Sequence, residues 1–284
     1  MPSLPIRAPL GVIALAVLAL ACVDSGNYGV RGRYPSPEPE PAPATKVTLA
    51  SAHLGRVATA ASADPQGPEP LEPAEDQLDR ILLVFSHPVD ALTLDPRAFA
   101  VLRGDGHRVA AVRATLAPAD EGDEHRSVTL LGHFGAGQQP PVTVYVFGEV
   151  FAASGEPLRG LSAEISALEV ADRPVVLERL AADAGRCPGA KAVLRSYWSD
   201  QLGGVGEDDL AGIDLRFADG SHAPPVAFDD QARREGEPAL PGPADDNVLD
   251  LCIDREQAVV EVRFAAGLFR DDGGRETAAA QIVL

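Results

Sequence analysis

Four acidic pairs are the first residues whose type and spacing invite chemistry: Asp208-Asp209, Asp229-Asp230, Asp245-Asp246 and Asp271-Asp272, all in segments that read as loops of the C-terminal half. Hard cations such as calcium take about six to eight oxygens, and carboxylates on the loops at the end of a β-sandwich can supply them. Asp208, Asp209, Asp271 and Asp272 are the weak calcium candidates on that ground. No pair has the Asp-x-Asp-x-Asp-Gly spacing of an EF-hand loop, so the expected state is a set of solvated turn carboxylates and no metal is assigned. The histidines His53, His87, His107, His125, His133 and His222 fall in expected loops or at strand ends without an H-x-H or H-E-x-x-H spacing. Zinc needs ligands converging on one point, and no local run supplies them. Tyr197-Trp198 carries the chain's one tryptophan and could stack on a sugar. Adjacent strand residues point to opposite faces, so only one of the two can face the core, and core packing of Trp198 is the expectation. A Ser in a G-x-S-x-G elbow is missing, and Gly203-Gly204-Val205-Gly206 lacks the Lys-Ser/Thr that a phosphate loop needs. No catalytic residue and no cofactor is assigned, and the chain is read as non-enzymatic. A hydrolase using two loop carboxylates would need a concave site holding them about 5 to 9.5 Å apart.

The elements that position these residues begin with an address. Arg7 is the sole charge before an apolar run from Leu10 to Ala21 that ends in Ala19-Leu20-Ala21 before Cys22. Such a run reads as a secretory signal peptide over residues 1–22, short for a permanent membrane span. The residues Leu18-Ala19-Leu20-Ala21-Cys22 resemble the lipobox of bacterial lipoproteins, although Leu18 sits one position further from the cysteine than the usual pattern. The resemblance implies cleavage before Cys22 and acylation of its thiol, with palmitate labelling as the readout and the membrane as a partner through lipid alone. The plainer alternative is ordinary cleavage that leaves Cys22 unmodified. Val23 rather than Asp after the cysteine points, by the same resemblance, to the outer membrane of a Gram-negative envelope. If Cys22 is acylated, the remaining Cys187 and Cys252 can close a disulfide in an oxidising compartment. Two reduced, buried cysteines are the alternative.

Residues 23–45 carry Gly26, Gly29 and Gly32 and then Pro35, Pro37, Pro39, Pro41 and Pro43, a spacing that favours extended polyproline and reads as a disordered tether. The net charge of −18 excludes a protein that lives on phosphate contacts, because a polyanion would be repelled. It also favours a body that stands off an anionic membrane.

Beyond residue 45 the apolar residues recur in short runs broken by Gly, Pro and Asp, the pattern of strands. Strands are expected at 46–50, 80–86, 98–103, 109–116, 127–131 and 142–150, with at most a helical turn in 91–99. The Val142 to Phe147 run puts valines on one face and Thr143, Tyr145 and Phe147 on the other, which suggests a strand covered on both sides or paired centrally. From residue 172, strands are expected at 175–180, 190–198, 213–217, 225–228, 247–254, 260–264 and 278–284. The fold class is therefore all-β: two sandwich domains, 46–171 and 172–284, in tandem after the signal and linker.

Leu83-Val84-Phe85-Ser86-His87-Pro88-Val89-Asp90, Thr93-Leu94, Phe99-Ala100-Val101, Val128-Thr129-Leu130 and Ala153-Ser154-Gly155-Glu156-Pro157-Leu158 resemble, in this order, the bacterial Ig-like domain of S-layer and other surface proteins. Glu156 stands where that family has Asn, and Ala60 to Pro68 adds a small-residue, proline-rich excursion, expected to be disordered. The resemblance implies an Ig-like sandwich used as a spacer or adhesion module, with no family-wide catalytic residues. Residues 264–274 suggest a divergent second copy. The expected function is a non-enzymatic, lipid-anchored envelope protein serving a structural, adhesion or protein-interaction role toward another envelope protein or a glycan. The rival is a carbohydrate-binding envelope protein, which needs an exposed aromatic groove.

Overall fold

The computed structural model describes residues 46–55, 78–119, 123–135, 139–182, 186–229, 246–271 and 273–284. The signal segment, Cys22, the tether, the Ala60 to Pro68 excursion, Asp230, Asp245 and Asp272 lie outside them. In chain order the strands are β1 (Leu49–Gly55), β2 (Asp79–Phe85), β3 (Phe99–Arg103), β4 (Arg108–Ala110), β5 (Arg113–Thr115), β6 (Ser127–Gly132), β7 (Pro141–Val146), β8 (Ser162–Glu164) and β9 (Pro174–Leu180). There follow β10 (Ala192–Trp198), β11 (Leu202–Gly203), β12 (Ile213–Phe217), β13 (His222–Ala223), β14 (Ala227–Asp229), β15 (Val248–Ile253), β16 (Val259–Phe264), β17 (Arg270–Asp271) and β18 (Ala280–Val283). Among the described residues the only helical pieces are 3-10 turns at Ala91–Thr93, Pro96–Ala98 and Glu207–Gly212, and none is long and apolar enough to cross a membrane.

The protein is all-β, and the paired strands run antiparallel. The first half makes the sheets β1-β2-β6-β5 and β4-β3-β7-β8, and the second makes β14-β15-β10-β9 and β13-β12-β16-β18, with a two-stranded β11-β17 ribbon. The period of two along each strand explains how these sheets stack. On β2, Ile81, Leu83 and Phe85 join Val128 and Leu130 of β6 in one apolar cluster with Phe99, Val101, Val144 and Val146 of the opposite sheet. On β10 and β15, Leu194, Trp198, Leu249 and Leu251 meet Leu215, Phe217, Val262 and Phe264 in a second cluster. The alternate residues of the same strands are buried too. Val84 of β2 packs with Ala119, Tyr197 of β10 and Val248 of β15, so the two inner sheets face each other across a seam. Double-sided burial is why β2 reads as a nearly unbroken apolar run, Ile81-Leu82-Leu83-Val84-Phe85, rather than as an alternation.

Residues 45–284 form one compact unit, and the change from the first cluster to the second falls at the crossing segment around Asp172. The run 109–116, expected as one strand, is two. Ala111 N–H bonds Phe99 O while Val112 N–H bonds Leu131 O, so the chain leaves one sheet for the other at that dipeptide. The helical turn expected in 91–99 is present as two 3-10 turns, each started by an Asp side chain, Asp90 on Leu92 N–H and Asp95 on Arg97 N–H. Gly155, at φ 92°, closes the tight turn in which Gly155 N–H bonds Ala152 O at 2.8 Å, a left-handed conformation that glycine adopts without a steric cost. Cys187 and Cys252 are joined by a disulfide, Cα to Cα 5.4 Å, which ties the loop before β10 to β15.

Candidate functional site

On the outer face of the sheet β4-β3-β7-β8 lies a groove of about 570 Å³, lined by Ala100, Arg108, Val109, Ala110, Tyr145, Phe147 and Arg159 among others. Its floor follows from register. Ala100 of β3 sits opposite both Tyr145 of β7 and Ala110 of β4, and two methyl side chains beside a phenol ring leave a hollow. The Arg108 guanidinium lies over the Tyr145 ring, 5.4 Å from its centroid, an arrangement stabilised by the ring quadrupole. Phe147, just past β7, is 50% exposed. The face of Thr143, Tyr145 and Phe147 is thus open on its outer side, while β7 is paired centrally between β3 and β8. Two arginines and two aromatic rings in a protein of net charge −18 suit an anionic or hydroxyl-rich surface, which arginine can bond in a fork and an aromatic ring can cover.

The other candidates are placed as follows. Tyr197 and Trp198 form no surface platform, because both are fully buried. Trp198 packs edge-on to Phe264 and Phe269 at 5.2 and 5.4 Å and donates its indole N–H to Ser196 Oγ at 3.0 Å. Tyr197 points the opposite way into the seam, where the Arg126 guanidinium lies 5.6 Å from its centroid. Burial raises the Tyr197 pKa to about 12, against the pull of Arg195. Trp198 packs in the second core as expected, and the expectation that only one of the two is taken up by a core is corrected, because both faces of β10 are covered and Tyr197 lies in the seam cluster.

The acidic pairs are also corrected. Asp229, Asp246 and Asp271 are buried rather than solvated, because each holds a backbone N–H: Cys187 on Asp229 Oδ2, Val248 on Asp246 Oδ1 and Arg275 on Asp271 Oδ1, each at 2.6 Å. Asp229 and Asp271 lie on strands β14 and β17. Asp208 is exposed on the Glu207–Gly212 turn, and Asp209 Oδ2 accepts the Gly206 N–H at 2.9 Å. Among the described residues no metal-sized group of donors includes Asp208, Asp209 or Asp271. The donor group of Cys187, Cys252 and Asp229 contains bridged sulfurs, not thiolates.

The histidines are not all in loops. His53 lies inside β1, which runs to Gly55 instead of ending near Ala50, and it is 1% exposed. Ala52 and Leu54 face the first core, so His53, between them, faces the seam. A second seam feature had no sequence signal. Arg195, fully buried, bonds Asp250 through two parallel contacts at 2.8 Å and reaches Asp123 at 2.8 Å and Glu124 at 2.9 Å. Burial opposes its charge, and the Asp250 bonds and charge, with Glu124, outweigh that and raise its pKa above the ordinary guanidinium value. Asp123 and Glu124 come from the first half and Asp250 from the second, so this ion cluster ties the halves together.

No family model and no curated protein matches this chain. Among solved structures, the N-terminal part of the bacterial S-layer protein SbsC is similar to it at 10% identity with a TM-score of 0.29, over 84% of this chain and 44% of that one. The chain spans less than half the length of that structure.

Proposed function

We propose that the protein is a non-enzymatic lipoprotein of the bacterial cell envelope whose β body, built as two Ig-like sandwiches back to back, serves as a structural and interaction module. The observation that carries this reading is the seam. Two apolar cores are fused through a buried ion cluster and an apolar patch into one unit, a build suited to holding a surface in place. The Cys187–Cys252 disulfide supports export, since such bonds persist in oxidising compartments. In this reading Cys22 carries the lipid, residues 23–45 span the gap from the outer membrane, and the body meets an envelope protein or glycan.

The address is tested by radiolabelled palmitate in the producing cell. Label on the wild-type chain and none on Cys22→Ala is the expected result, and unchanged membrane retention of that variant would refute the anchor. A second reading, carbohydrate binding, is favoured by the groove at Tyr145 and Phe147 rather than by Tyr197 and Trp198. Calorimetric titration with acidic and neutral polysaccharides separates the two: binding that is lost in Phe147→Ala, with unchanged melting, supports the glycan reading.

A further inference from the structure

His53 of β1, Asp172 of the crossing segment and Asp200 just past β10 meet at one corner of the seam. His53 Nε2 stands 3.7 Å from Asp172 Oδ1 and 4.0 Å from Asp200 Oδ2, and one donor atom from each residue lies within 4.8 Å of the other two. Nitrogen and oxygen ligands bound to a single ion at about 2.0 to 2.2 Å stand roughly 3.3 to 3.7 Å apart, so the three donors are close to ligating separation. All three side chains are 1–2% exposed.

The two carboxylates differ in their partners. Arg80 Nη2 meets Asp200 Oδ1 at 2.5 Å. Among the described residues Asp172 has no cation in contact: Oδ1 accepts the Ser199 hydroxyl at 3.1 Å, and Oδ2 has no hydrogen-bond partner. Arg275, also near, is committed to the carbonyls of Leu168 and Val170 and to Asp271. A carboxylate withdrawn from water without a cation is costly, and beside a second carboxylate more so.

We propose that His53, Asp172 and Asp200 bind one divalent cation of the zinc class, which clamps β1 of the first half to the second half. An imidazole nitrogen with two carboxylates is a donor set for borderline cations, whereas calcium would want an all-oxygen shell of more ligands. Burial and then the Arg80 charge lower the His53 pKa to about 4, so the ring is neutral, the form that ligates. Burial of the donors means that the ion enters as the chain folds.

The test refolds the full chain in zinc chloride, in calcium chloride or in chelator, removes free ion by gel filtration, and measures retained metal by elemental analysis. The expected result is about one equivalent of zinc and no calcium on the wild type, falling at least about tenfold in Asp172→Asn and in His53→Gln and unchanged in the exposed-site control His222→Gln. Should those variants fail to fold, the wild type decides through nitrogen-resolved NMR of its histidine rings, where zinc must shift one buried ring. Retention of calcium instead of zinc, zinc at well under one equivalent, full zinc on Asp172→Asn, or a shift confined to an exposed ring overturns the proposal.

Discussion

Arg195 and Asp172 are both buried charges at the seam between the halves, and their surroundings are opposite. Arg195 is encircled by Asp250, Glu124 and Asp123, so each of its charged faces has a partner. Asp172 has a hydroxyl and a neutral ring, and burial followed by the Asp200 charge raises its pKa to about 7. A buried ion cluster whose members are satisfied rigidifies what it joins, whereas a half-satisfied one is unfavourable unless something else completes it. The difference separates a lock from a candidate site on the same interface.

If the Arg195 cluster is the lock, Arg195→Ala should cost about 3 kcal/mol, since it removes the guanidinium that bonds Asp250 twice and meets Glu124 and leaves Asp250 with Arg186. Urea unfolding measures this, and a loss below about 1 kcal/mol would place the cohesion of the halves elsewhere. The staple belongs to one half alone. Replacing Cys187 and Cys252 with Ser should cost about 2 to 4 kcal/mol, because the bridge closes a loop with a sequence separation of 65, and the loss should shift the one unfolding transition as a whole, with Trp198 fluorescence moving with it.

Tyr197 sharpens the comparison by pH. Its folded pKa of about 12 lies above the unfolded value of 10.0, so folding holds a proton that the unfolded chain releases. Its contribution is fully present below pH 10 and is lost as pH rises through about 12, a loss of about 2 to 3 kcal/mol. Tyr197→Phe should remove that part of the alkaline loss while staying within about 1 kcal/mol of wild type at pH 7. An unchanged alkaline profile would show that the phenol is not held in the seam. The smallest effect is expected at the seam's edge. Glu178, 27% exposed and 2.5 Å from the buried Arg126, should lose only about 1 kcal/mol as Glu178→Gln, because water reaches the carboxylate and Arg126 keeps the Ser86 carbonyl and the Tyr197 ring.

Strands whose pattern is local were legible in the sequence. Ile213–Phe217 alternates apolar and charged residues and forms a strand with those bounds, and the runs at β2, β6, β9, β10 and β16 differ from expectation by one or two residues at their ends. Two-residue strands such as β11, β13 and β17 carry no period to read. The crossing at Ala111 and Val112 is a choice between two sheets that no run of β-prone residues records. Of the candidate site, Tyr145 and Phe147 could be assigned to a common face, but its openness depends on Ala100 and Ala110 from other strands. The seam was hidden for the same reason. His53, Asp172 and Asp200 are separated by more than a hundred residues in one step, and Arg195 gathers acids from both halves. Buried aspartates that hold turn N–H groups look, in a sequence, the same as solvated ones.

Differential scanning calorimetry of the oxidised protein tests most directly whether the seam makes residues 45–284 a single cooperative unit with two cores. A single transition with calorimetric and van't Hoff enthalpies equal is the predicted result. Two resolved transitions, one following Trp198 fluorescence and one not, would contradict it and make the halves independent domains joined at Asp172.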